Sequence, residues 1–199
     1  MSASAELSPL RVLLIDDGAH RVDLIRDELV RQGHDVVGVA ESARVIHDSV
    51  SQLRPDVVIV DAESPSRDTL EHLAAMGHSH PRPVVVFAED DAEDPLRRAM
   101  AAGVSAYVVA GLQPQRLAAV LRVAIARFEQ DRALREQLAQ AREQLSQRKL
   151  VERAKGLLMK RHGIGEDEAY ALLRRAAMDK GLKVADVAQR LVDVADLIG

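Results

Sequence analysis

Five short apolar runs, separated by stretches of helical periodicity, constrain this chain more than any other feature. They are Arg11-Val-Leu-Leu-Ile15, Val36-Val-Gly-Val39, Asp56-Val-Val-Ile-Val60, Val84-Val-Val-Phe87 and Ala106-Tyr-Val-Val109. Each is too short for a core helix and too continuously apolar for a strand with one wet face. Helical patterns fall between them, over about 19–32, 42–52, 67–76 and 95–102, with Gly33 and Pro55 as stops. A strand buried on both faces needs helices on both sides. The alternation therefore predicts an α/β fold, a doubly wound five-stranded parallel sheet, with ligands beyond the carboxyl ends of the strands.

Three carboxylates fall at those ends: Asp16 and Asp17 after the first run, and Asp61 after the third. Acids grouped this way repel one another unless a cation sits among them, and hard oxygen donors suit Mg2+. A carboxylate beside such a metal can also accept a phosphoryl group, which makes Asp61 a candidate phosphoacceptor. The bland reading, solvated acids on loops, suits any one of them better than it suits all three.

Downstream the character changes. Between Gln115 and Gln147 there is neither Gly nor Pro, and Ala, Arg, Glu, Gln and Leu dominate, the composition of a long helix. Leu134, Leu138, Ala141 and Leu145 follow 4-3-4 spacing, so Leu134, Leu138 and Leu145 are candidates for a coiled-coil dimer seam. From Lys149 onward, three amphipathic helical patterns are expected, broken at Gly163-Ile-Gly165 and Gly181. All five lysines of the protein lie in this last part. Residues 1–113 hold ten Arg against nineteen Asp/Glu, whereas residues 114–199 hold seventeen Lys/Arg against twelve. An acidic module joined to a polyanion-binding one accounts for that split. The boundaries expected are 9–113, 114–148 and 149–199.

The basic positions Lys155, Lys160, Arg161, Arg174, Arg175 and Lys180 would rim the helical bundle with cation suited to phosphate. Tyr170 could stack on a base or anchor the bundle by its ring. Ala154, Leu158, Met159, Leu173, Ala177 and Met178 are expected in its core. Gly156, mid-helix, would reflect close approach of a neighbouring helix or of RNA backbone. The presence of only two Phe and two Tyr argues against a base-stacking sheet platform. The chain has no cysteine, no basic leader followed by a long apolar stretch, and no apolar run of about eighteen residues. A cytoplasmic protein that neither crosses a membrane nor carries disulfides is expected. The histidines show no metal-ligand spacing.

The Asp16-Asp17 pair, Asp61 followed by Pro65, and Gly103-Val-Ser-Ala-Tyr107 resemble a response-regulator receiver domain. The resemblance implies phosphorylation at Asp61 and Mg2+ held by the acidic pair. Two departures stand out. Ala88 occupies the place of the family's Thr or Ser, followed by Glu89, Asp90 and Asp91, and Ala110-Gly111 replaces its Lys-Pro. Both contacts of the usual phosphoryl switch are thereby missing, and the extra acids add negative charge. Ala154-Lys155, Leu158-Met159, Glu168-Ala-Tyr170, Leu173-Arg174, Ala176-Ala-Met178 and Asp186-Val-Ala188 resemble the ANTAR domain, an RNA-binding three-helix bundle. Ser64 to Leu70, Val86 to Asp90 and Tyr107 to Leu112 look most like NasT-type members, which regulate nitrate and nitrite assimilation.

These resemblances imply a non-enzymatic regulator that binds tandem hairpins in leader mRNA and prevents an intrinsic terminator from forming. Its implied partners are the RNA, a second copy of the chain and a nitrate-sensing repressor protein. The rival reading is a phosphorylation-dependent DNA-binding response regulator of a two-component system. Cations spread over more than one helix, rather than along one recognition helix, disfavour it. A phosphatase at the acidic end lacks an electrophilic partner for Asp61.

Overall fold

The computed structural model of the 199-residue chain describes residues 8–17, 21–109 and 113–198. The chain divides into two compact units, Met1–Arg132 and Ala133–Gly199. In the first, the strands are β1 (Arg11–Asp17), β2 (Asp35–Ala40), β3 (Val57–Ala62), β4 (Val84–Phe87) and β5 (Ala106–Val108). Every pairing is parallel and the order is β2-β1-β3-β4-β5. The helices are α1 (Val22–Arg31), α2 (Ile46–Leu53), α3 (Arg67–Ser79), α4 (Glu93–Ala101) and α5 (Leu117–His162).

The two faces of the sheet follow from the strand period of two. Leu13, Ile15, Val58, Val60, Val84 and Val86 point to one side, where they meet Ile46 and Val50 of α2, Leu70, Leu73 and Met76 of α3, and Ala99 of α4. Val12, Leu14, Val57, Ile59, Val85 and Phe87 point to the other, against Ile25 and Leu29 of α1 and Leu117, Leu121 and Ala124 of α5. This is why the strand runs carry no polar alternation. At Gly38 of β2 a Cβ would lie 2.7 Å from Cδ1 of Leu53 and 3.3 Å from Cδ1 of Leu13, so the end of the Leu53 side chain would have to move aside. Strand order reverses between β1 and β3, so the crevice at the switch point opens beside Asp16 and Asp61.

Helix α5 runs without a break through residues 148 and 149. Gly156 is tolerated inside it, and Gly163, at φ 67°, follows its end. In the second unit, α6 (Glu166–Lys180) and α7 (Val184–Ile198) complete a small bundle. Ala154, Leu173, Ala188 and Val192 form its buried centre, flanked by Leu150, Val151, Leu157, Leu158, Val184, Val187 and Leu191. Glu166, Asp167 and Glu168 sit in the first turn of α6, where the helix dipole favours acids. Gly181, left-handed at φ 61°, ends it.

Two core expectations do not hold. Met178 is 71% exposed and Met159 37%, because the bundle has only three helices and leaves their outer faces wet. Close approach of another helix does not explain Gly156 either, since a Cβ there would meet nothing within 4 Å.

Candidate functional site

Asp61, near the carboxyl end of β3, is fully buried, and Asp16 is its register partner on β1. A buried carboxylate demands compensation. Arg21, the N-cap residue of α1, supplies it. Its Nη2 donates to Oδ1 of Asp61 at 2.6 Å, and its Nε reaches Oδ1 and Oδ2 at 3.2 and 3.3 Å. The Arg21 backbone N–H donates to Oδ2 at 3.2 Å. Nη1 donates to Oε1 of Glu89, in the segment after β4. The hydrogen bond to Asp61 is the largest influence raising the Arg21 guanidinium above its ordinary range; burial opposes it, and the charges of Asp61, Glu89 and Glu63 add to it.

Glu89 is thus not a surplus repulsive charge but half of a bridge. The backbone N–H groups of Glu89 and Asp90 both donate to the Glu63 carbonyl, at 3.0 and 3.1 Å, and Ser64 Oγ donates to Asp90 at 3.0 Å. The loops after β3 and β4 are tied together in this way. Ala88, in the position of the family's hydroxyl residue, is buried and places only its backbone at the site, its N–H donating to the Val108 carbonyl at 2.9 Å.

Mg2+ is the ion that receiver domains typically take at their acidic site. Here both oxygens of Asp61 already accept from Arg21. Among the described residues no group of three or more His, Asp or Glu side chains is placed to hold a metal. The Asp17 side chain and Ala110 lie outside the described residues. With Arg21 in place, neither oxygen of Asp61 is open to a divalent ion. Nothing in the sequence near Asp61 pointed to Arg21, forty positions away. One signal was available: a cation at a helix N-terminus opposes the dipole and calls for a nearby anion.

The second candidate surface lies in the helical unit. Tyr170, Arg174 and Met178 stand at i, i+4 and i+8 on α6, and with Arg175 they line one shallow depression. Tyr170 is 46% exposed. It also borders a second hollow with Arg148, Glu152 and Lys183. Lys160 and Arg161, in the last turn of α5, flank a separate apolar groove with Leu157 and Leu191. Lys180 is exposed at the end of α6. Among the described residues, no ion pair engages Lys160, Arg161, Arg174, Arg175 or Lys180.

Lys155 is different and does not stand on that rim. It is only 7% exposed, and its Nζ bonds Glu152 at 2.8 Å and Glu166 at 2.6 Å. The two glutamates raise its pKa, and the Lys155 bond lowers that of Glu166. It ties α5 to the start of α6. In the connector, Leu134, Leu138 and Leu145 are 63%, 50% and 55% exposed.

The sheet, its order and its acidic crevice define a response-regulator receiver domain. The model of that family matches residues 12–122. Two crystal structures share the fold. The receiver domain of a modulated diguanylate cyclase from Desulfovibrio desulfuricans G20 is 22% identical, with TM-score 0.55, over 62% of this chain and 99% of that one. A LuxR-family two-component response regulator from Aurantimonas sp. SI85-9A1 is 23% identical, with TM-score 0.53, over 60% and 86%.

The ANTAR domain model matches residues 139–192. The transcriptional regulatory protein PdtaR of Mycobacterium tuberculosis is 34% identical over 186 residues, 93% of this chain and 90% of that one. The chain belongs to the response regulators that join a receiver domain to an ANTAR domain. Over a shorter stretch of 61 residues it is 41% identical to the nitrate regulatory protein of Klebsiella oxytoca, 31% of this chain and 15% of that one. None of the described helices is long and apolar enough to cross a membrane.

Proposed function

We propose that this regulator binds tandem hairpins in leader mRNA through its helical unit and thereby keeps an intrinsic terminator from forming. The observation that carries the reading is the pair Arg174 and Arg175, engaged in no ion pair, beside the exposed ring of Tyr170 in a depression that Asp167, Glu168 and Asp179 also line. It lies within the span matched to the ANTAR domain. Guanidinium groups supply phosphate contacts, and a half-exposed tyrosine offers a stacking surface to an unpaired loop base. Binding energy spent on one hairpin withdraws sequence from the competing terminator stem. The working division is a receiver unit over 9–113, a connector over 114–148 and the RNA-binding unit from 149 to 199.

The connector presents Leu134, Leu138 and Leu145 to solvent at 4- and 7-residue intervals, a seam for a second copy of the chain. A dimer carries two RNA-binding units to two neighbouring hairpins and gains avidity without new contacts. The genes served are those of nitrate and nitrite assimilation, a reading supported by the short match to the Klebsiella oxytoca protein. In it the receiver unit docks a nitrate-sensing repressor protein, and the regulator works in the cytoplasm.

A gel-shift titration tests this, with a leader RNA of two tandem hairpins beside duplex DNA of the same sequence. The protein should bind the RNA selectively, and binding should weaken with salt. Equal or tighter binding to the duplex would replace it with the DNA-binding response-regulator reading.

A further inference from the structure

We infer that Arg21 is a built-in cation that holds the Asp61 site closed against divalent metal, making the receiver unit's resting state independent of Mg2+. The guanidinium and the backbone N–H of one residue together occupy both oxygens of a fully buried carboxylate. The same side chain reaches across to Glu89, so it joins the start of α1, the end of β3 and the segment after β4. Together with the end of β1, these elements border the switch-point crevice.

Placement at a helix N-terminus makes the geometry diagnostic. There the dipole disfavours a cation, and the bonds to Asp61 and Glu89, with the nearby charge of Glu63, offset that cost. A divalent ion needs the same lone pairs of Asp61 that Arg21 now fills. It must therefore displace a cation that is covalently tethered to the site and present at high effective concentration. The missing hydroxyl at Ala88 fits the same picture, since the crevice loop is held by backbone bonds and by Arg21 rather than by a side chain that reads a ligand. This inference does not depend on which nucleic acid the helical unit binds.

The test uses the full-length chain and three forms: wild type, Arg21→Ala, and Arg21→Ala combined with Asp61→Asn. Thermal midpoints are read by circular dichroism in EDTA and across a Mg2+ series, and Mn2+ binding is read by its electron paramagnetic resonance signal. Wild type should melt at one temperature throughout. Arg21→Ala should melt lower in EDTA and regain stability as Mg2+ rises, because the ion binds only the folded form. Its Mn2+ affinity should exceed that of wild type by roughly ten-fold or more, as expected when an internal competitor is removed. The double variant should melt near wild type and ignore the metal. Equal Mn2+ affinity in wild type and Arg21→Ala would overturn the inference. An Arg21→Ala chain that Mg2+ fails to stabilise, whether it folds or not, would overturn it as well.

Discussion

Arg21 and Arg174 are the same side chain in two settings. Arg21 sits 20% exposed among carboxylates, every edge of its fork turned to Asp61 or Glu89. Arg174 lies on the open face of α6 with no ion pair, beside Tyr170, Met178 and Arg175. Lys155 repeats the first pattern inside the second unit, buried between Glu152 and Glu166. A cation satisfied by its own chain holds elements in place. One left to solvent retains its charge for a partner. Position in a motif does not distinguish these fates, nor does the mere presence of acids, since Asp167, Glu168 and Asp179 line the same depression as Arg174; an acid closing to ion-pair distance does.

Four perturbations press on that contrast, in decreasing order of effect. Leu138→Asp with Leu145→Asp should abolish dimerisation and weaken binding to tandem hairpins by roughly 10–100-fold, the scale of lost avidity. Light scattering should show the mass halve. An unchanged mass with unchanged binding would remove the connector from the account.

Lys155→Met should lower the melting midpoint of the helical unit by a few degrees, of the order expected for one lost tie in a small unit. The sign with pH follows from the two partners. Glu166 is held below its usual range by Lys155, so its contribution is present above the ordinary carboxylate pKa and is lost as pH falls through the lowered native value. The difference between wild type and Lys155→Met should therefore shrink in acid. A difference that stays constant down to strongly acid pH would mean that Glu166 is not the partner that matters.

Gly156→Ala should stabilise the chain by about 1 kcal/mol, since the position is helical and a Cβ meets open space. If RNA backbone passes over this turn, the same variant will bind RNA less well despite its higher melting midpoint. Undiminished affinity would place the RNA elsewhere.

The smallest effect concerns His34. Burial pushes its imidazole below the ordinary value of 6.5, and its neutral Nδ1 accepts from the Leu10 N–H at 3.3 Å. The unfolded chain takes up that proton first. The contribution is full above pH ~6.5 and is lost as pH falls through the lowered native value. His34→Gln keeps an acceptor without titrating, and should flatten the loss of receiver stability between neutral and mildly acid pH by a degree or so. An identical pH profile would show that the Leu10 contact carries no such burden.

The five strands were legible because burial on both faces writes an unbroken apolar run into the sequence, a local signal. Observed β3 extends through Asp61 to Ala62, and α3 continues to Ser79, both past the expected ends. The continuity of α5 to His162 was less legible. Its composition predicts a helix, but only Gly163, in a left-handed turn, marks where it stops. The acidic crevice was placed by topology: acids at carboxyl ends of strands must gather at the switch point. Arg21 could not be found that way, since its partners are 40 and 68 residues distant. Likewise Lys155 reads as a surface cation until α6 brings Glu166 to it, and Met178 reads as core because periodicity cannot count how many helices surround a face.

The most direct measurement is RNA affinity as a function of salt for wild type, Lys155→Met and Arg174→Ala combined with Arg175→Ala. The double arginine variant should lose roughly 10–100-fold in affinity, with a shallower dependence on salt by about one to two in log–log slope. Lys155→Met should keep the wild-type slope wherever it remains folded. A slope unchanged by loss of both arginines, or one flattened by Lys155→Met alone, would contradict the division between cations that hold the fold and cations that meet RNA.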